Sequence, residues 1–229
     1  MVVKINRKLF WVAVAVLLLA AGAAYVGLVS RVVPEELLPQ ALANTLDTPT
    51  YRYRVEVIQV RPAGPIYLSR INGEKAGGDF HLWGEMQGGP VDVYEIEGVT
   101  YLKDAITQKW IILPGRRLLS DDLFMMEVNP AENLRFAVPT TVKYLGRESL
   151  QGKKLYVLEC SPQIIESKYL TKWFKGFTYR VWVEPGSKRI RRAQIHAVTV
   201  HNPDFKVEAA FEFYDQGKTI KIVPPTQSS

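Results

Sequence analysis

The run from Phe177 to Phe213, FTYRVWVEPGSKRIRRAQIHAVTVHNPDFKVEAAFEF, constrains this chain more than any other stretch. Glu184-Pro185-Gly186-Ser187 is a turn between two runs of period two, which predicts a long antiparallel hairpin feeding a third strand. On that third strand Phe205, Val207, Ala209, Phe211 and Phe213 point one way, while Lys206, Glu208, Glu212 and Tyr214 point the other. A strand with one oily and one charged side belongs to a sheet that buries a single face.

Shorter runs of the same kind precede it. Strands are expected at Tyr51–Val60, Ile66–Ile71, Asp79–Met86, Val91–Glu97, Val99–Lys103 and Lys109–Leu113, then at Thr141–Leu145 and Lys154–Cys160, with Thr219–Val223 last. Asn72-Gly73, Gly88-Gly89-Pro90 and Gly98 read as turns between them. Helical spacing marks Pro34–Leu46, with Pro39 opening its regular part, then Leu119–Val128 with Ser120 as N-cap, Ala131–Phe136 and Gln163–Lys175. In the last of these Lys168, Lys172 and Lys175 share an arc opposite Tyr169, Leu170, Trp173 and Phe174. That suits a helix lying over the sheet with its lysines in water, or one lying on a membrane surface. The fold class expected is α+β: a single N-terminal transmembrane helix plus one curved antiparallel sheet of about 10–11 strands with short helices on one side.

The transmembrane expectation rests on residues 9–30. Leu9 to Ser30 holds no charged residue and as a helix would span roughly 33 Å. Lys4, Arg7 and Lys8 precede it, so the positive-inside bias keeps residues 1–8 in the cytoplasm and puts 31–223 outside, with 224–229 as a tail. A cleavable signal peptide ending near Gly22-Ala23-Ala24 is the rival reading. The expected localisation is a cell membrane, single-pass. Net charge is +6, and those three N-terminal cations supply half of it. The remainder is too balanced to argue for nucleic acid.

No catalytic signature is visible. No Ser lies in a G-x-S-x-G turn, and Asp121-Asp122 at a helix start complements the dipole. His81, His196 and His201 are scattered, with the last two five apart on one expected strand and hence on opposite faces unless a bulge intervenes, so no metal or cofactor is expected. Cys160 is the only cysteine and shares a strand face with Tyr156 and Leu158, the pattern of a buried thiol. The aromatics are the better clue. Trp83, Tyr94, Tyr101, Trp110, Trp173, Phe177, Tyr179 and Trp182 exceed what one small sheet face needs. They are either ordinary core or, in part, the lining of a cavity kept for an apolar ligand.

Three segments carry a family likeness: the helix running into a Tyr-rich strand from Leu38 to Val57, VKYLGRESLQGKKLYVLECSP from Val142 to Pro162, and YRVWVEPGSKRIRRAQI from Tyr179 to Ile195. In these the chain resembles the LolA/LppX/LprG group of bacterial lipoprotein and lipid carriers. It departs from the group in lacking a lipobox and in placing Glu184 where the turn has Asp. The resemblance implies an unclosed β-barrel whose concave face, under the helices, holds acyl chains or another apolar ligand by burial and not by chemistry. The partner implied is a lipid or the acyl chain of a lipoprotein. The alternative is a solid-packed sensor or scaffold module that docks another cell-envelope protein.

Overall fold

The computed structural model describes residues 32–115 and 125–225. From helix α1 (Pro34–Leu46) the chain lays down six strands in turn: β1 (Thr50–Arg61), β2 (Gly64–Ala76), β3 (Asp79–Met86), β4 (Gly89–Ile96), β5 (Val99–Lys103) and β6 (Trp110–Pro114). A crossing stretch follows, with α2 (Met125–Val128) and a 3-10 turn (Pro130–Leu134). The second set is β7 (Lys143–Leu150), β8 (Lys153–Cys160), α3 (Lys168–Trp173), β9 (Phe174–Val183), β10 (Ile190–Thr199) and β11 (Lys206–Tyr214). All eleven strands form one sheet in the order β6-β5-β4-β3-β2-β1-β11-β10-β9-β8-β7. The first meander therefore runs from the middle to one edge, the chain crosses to the other edge, and the second meander returns until β11 pairs antiparallel with β1. β6 and β7 are left as edges, so the sheet is open.

Alternation decides which face the helices cover. Tyr51, Tyr53, Val55 and Val57 of β1 are buried, and Arg52 and Arg54 between them are exposed. Register sets Tyr53 opposite Phe213, Val55 opposite Phe211 and Val57 opposite Ala209, and the same side continues through Ala193 and Ile195 to Val181 and Tyr179. On this side α1 buries Leu37, Leu38, Ala41 and Leu42. Hydrogen bonds from the central strands fasten the helix layer. Tyr51 Oη donates to Asn129 Oδ1 (2.8 Å), Tyr53 Oη to the Val128 carbonyl (3.2 Å), Tyr179 Oη to the Asn133 carbonyl (3.1 Å) and Ser69 Oγ to Glu127 Oε1 (2.8 Å). The Ile190 amide donates to Thr45 Oγ1 of α1 (2.9 Å). Each satisfies a polar group that burial would otherwise make costly.

Several expectations are corrected. The fold is mostly one large open antiparallel sheet with few, short helices, and no helix among the described residues is long and apolar enough to cross a membrane. That overturns the transmembrane helix as part of the fold and the single-pass membrane localisation drawn from it; the stretch 9–30 on which both rested lies outside the described residues. Asn72-Gly73 is not a turn but the middle of β2, and the chain reverses at Gly77-Gly78 instead. α1 starts at Pro34 and carries Pro39 inside it, where the missing N–H forfeits a single bond. Gln163–Lys175 is helical only from Lys168 to Trp173, because Ile165 forms an isolated bridge with Phe136. Thr219–Val223 is not a strand.

Candidate functional site

The helix-covered face is filled at its centre and open towards both edges. At the centre Tyr51, Tyr53, Phe211 and Phe213 are wholly buried beneath the helix layer. Burial disfavours the charged form of the ionisable groups there. Burial pushes the Glu127 carboxyl up, against the opposing hydrogen bond from Ser69. Burial likewise lowers the Lys75 ammonium, which sits opposite Tyr51 and Phe80.

At the β7–β8 side, the bridge between Phe136 and Ile165 ties the crossing stretch to the segment after β8. The Ala137 amide donates to the Ile164 carbonyl (3.0 Å), and the Glu166 amide to the Arg135 carbonyl (3.2 Å). These two segments frame a cavity of about 470 Å³ with Ala137, Val138, Cys160 and Ile164 among its walls and Lys143 and Glu159 at its rim. Cys160 pairs with Tyr179, whose ring packs on Phe136 (4.5 Å between centroids) and lies 6.4 Å from Phe177. The cavity thus adjoins a cluster of rings on the helix-covered face. Ile164, one of its walls, is 65% exposed, so the hollow opens to solvent on that side. Burial, with Glu159 adding to it, pushes the Cys160 thiol up to about 12, so it stays protonated and inert. At the opposite edge the same face is also uncovered: Ile111 is 43% exposed and lies across from the half-buried Leu102. Among the described residues no group of three His, Cys, Asp or Glu side chains is placed to hold a metal.

No protein-family model matches the chain, and neither does any curated protein. Solved structures do. The lipoprotein LppX of Mycobacterium tuberculosis superposes with a TM-score of 0.55 at 13% identity, covering 82% of this chain and 97% of LppX. LprF from Mycobacterium bovis gives 0.56 at 11% identity, over 84% of this chain and 96% of its own. This is a LolA/LppX-like fold. A LolA superfamily protein from Nitrosomonas europaea also aligns over 85% of the chain and 96% of its own length, at 12% identity and a TM-score of 0.34 too low to carry an argument. At such identities the likeness speaks of the fold alone.

Within this LolA/LppX-like fold the eight aromatic candidates divide. Phe177 and Tyr179 lie on the helix-covered face, behind the cavity. Trp173 ends α3, partly exposed, edge-on to His201. Trp182 lies on the bare face, packed with Leu155 and Val157; its Nε1 donates to Glu148 Oε2 (2.8 Å) and the Arg192 guanidinium sits over its ring. Trp83, Tyr94, Tyr101 and Trp110 come together, also on the bare face, on β3 to β6. Val138 and Ile164 were missed by sequence reasoning. The signal available was Pro139 and Pro162, which break any helix or strand laid across those segments.

Proposed function

We propose that this chain binds the acyl portion of a lipid or lipoprotein on its helix-covered face, in the cavity walled by Val138, Cys160 and Ile164, as a carrier and not as an enzyme. The observation that carries the reading is that hollow, about 470 Å³, beside the filled centre of the face and adjoining the Phe136–Tyr179–Phe177 rings. Its volume falls within the usual range for ligand sites. Each methylene moved from water into it contributes ~0.8 kcal/mol, so affinity needs no polar anchor. Lys143 at the rim offers a cation to an anionic headgroup. The likeness to LppX supports this through the fold, and the family resemblance of the three sequence segments implies the same ligand class.

A second reading draws on the filled centre. The buried Tyr51, Tyr53, Phe211 and Phe213, with their ties to the crossing stretch, would equally serve a solid module that docks another cell-envelope protein. Organic extraction of the purified full chain followed by mass spectrometry separates the two. A carrier yields a stoichiometric lipid that is lost in Ile164→Asp, a change at an exposed position that leaves folding intact. An empty wild-type chain, or a variant that retains its lipid, favours the docking module.

A further inference from the structure

The bare face of the sheet changes character from one half to the other. Over β1, β11 and β10 it is a ladder of charges: Arg52 with Glu74 (3.1 Å) and Asp215 (2.9 Å), and His196 with Glu208 (3.6 Å). That is what a solvated face requires. Over β3 to β6 the same face turns aromatic. The His81 ring lies between Trp83 (4.5 Å between centroids) and Tyr94 (3.7 Å, within 7° of parallel), and Tyr94 meets Trp110 edge-on at 5.4 Å. Tyr101 stands opposite Tyr94. His81, Tyr94, Tyr101 and Trp110 are only half-buried and Trp83 is exposed, so no full layer covers these rings. Aromatic rings on the water side of a sheet, without a covering layer, need a reason beyond core packing.

The stack ends in a groove. His81 occupies one face of the Trp83 indole, yet Trp83 remains 38% exposed and walls a hollow of about 290 Å³ with Pro90, Asp92, Lys103, Ala105 and Gln108. The groove is built in advance. Asp92 Oδ1 accepts from His81 Nε2 (3.0 Å), which fixes that carboxylate and the ring behind Trp83. The far wall belongs to the loop between β5 and β6. There Asp104 Oδ1 accepts from the Ile106 amide (3.1 Å), the Thr107 amide (2.6 Å) and Thr107 Oγ1 (2.7 Å). The Gln108 amide closes back on the Asp104 carbonyl (2.9 Å), and Gln108 Nε2 donates to the Ala105 carbonyl (2.8 Å). Lys103 Nζ is held 5.8 Å from the centre of the Trp110 ring. A flat apolar wall thus faces a carboxylate, an amide and an ammonium in a small, fixed slot.

We propose that this groove is a saccharide-binding site, taking one pyranose ring flat against the Trp83 indole with its hydroxyls shared among Asp92, Lys103 and Gln108. A sugar ring is the ligand that presents an apolar C–H face to an indole and a girdle of hydroxyls able both to donate and to accept. An acyl chain would offer nothing to the Lys103 ammonium or to the lone pairs that Asp92 and Gln108 have left over, and a bare cation would meet Lys103. The site lies on the opposite side of the sheet from the acyl cavity and does not depend on it.

The test titrates the full-length chain with the β-1,4-linked trimer of N-acetylglucosamine, and separately with maltotriose, following tryptophan fluorescence and two-dimensional amide NMR spectra. We expect saturable binding of at least one of the two, with a dissociation constant at or below about 1 mM. The shifts should centre on Trp83, Asp92 and the 104–109 loop. Trp83→Ala and Asp92→Asn should each weaken it at least tenfold while circular dichroism and thermal unfolding stay near wild type, and Trp173→Ala at the far end of the sheet should bind normally. Absence of saturable binding to both sugars, or undiminished binding by Trp83→Ala, overturns the proposal. So does sedimentation that reveals a dimer lost in Trp83→Ala, since the rings would then serve a second copy of the chain.

Discussion

Gly73 shows how a single residue can mislead locally and make sense globally. As part of Asn72-Gly73 it carries a turn signal, yet it sits mid-strand because the Tyr53 ring lies directly over it; a Cβ added there would come within 2.2 Å of Tyr53 Cζ. The reason for the glycine is a side chain twenty positions away, which no local pattern encodes. Gly73→Ala should displace that ring and its hydrogen bond to Val128, costing roughly 1–3 kcal/mol in urea unfolding. Glu127 gives a pH signature. Its folded pKa is raised, so the folded chain holds a proton that the unfolded chain releases; its contribution to stability is greatest below the ordinary carboxylate value and is lost as pH rises through the raised one. Glu127→Gln keeps an acceptor for Ser69 and removes that titration. Its stability relative to wild type should therefore climb as pH rises above the ordinary carboxylate range in denaturant titrations, and a flat difference would show that burial does not raise the Glu127 carboxyl. Cys160 was legible as a buried thiol from its neighbours on the strand. Maleimide should label it on the order of a thousandfold more slowly in the native chain than in urea at mildly alkaline pH.

At the scale of elements, the long hairpin was the most legible part because its alternation is strict and its turn is local. Val207, Ala209, Phe211 and Phe213 are buried, and Glu184 closes the turn by accepting from Lys153 Nζ (2.7 Å) and Ser187 Oγ (2.8 Å). The helix expected over Gln163–Lys175 fails for the converse reason. Its periodicity is real, but the backbone from Gln163 to Glu166 is drawn into pairing with Phe136 and Ala137, a partner the periodicity does not contain. α1 is fastened to the sheet through Thr45, whose Oγ1 donates to the Ala41 carbonyl (2.7 Å) and accepts from the Ile190 amide. Thr45→Val keeps the volume and strands that amide. A loss of about 1–3 kcal/mol is expected in thermal or chemical unfolding, and a neutral result would mean that α1 contributes little to holding β10.

For the whole molecule, strands were legible but their order was not. β1 and β11 pair across nearly the length of the described chain, and alternation says that two residues share a face without saying which face receives the helices. That is why Phe177 and Tyr179 fell beside the cavity at Val138 and Ile164 while Trp83, Tyr94, Tyr101, Trp110 and Trp182 fell on the opposite side. The topology explains the cavity itself. A chain that leaves the middle for one edge must cross to the other to return; the part of that crossing from Met125 on lies over the centre, and beside its bridge to the segment after β8 it leaves the cavity. Titration of a fluorescent long-chain fatty acid into the full-length protein tests this most directly, with wild type compared against Ile164→Asp and Trp83→Ala. One saturable site, weakened at least tenfold by Ile164→Asp and untouched by Trp83→Ala, is the expected result; no saturable binding, or equal affinity in Ile164→Asp, would contradict an acyl site on the helix-covered face.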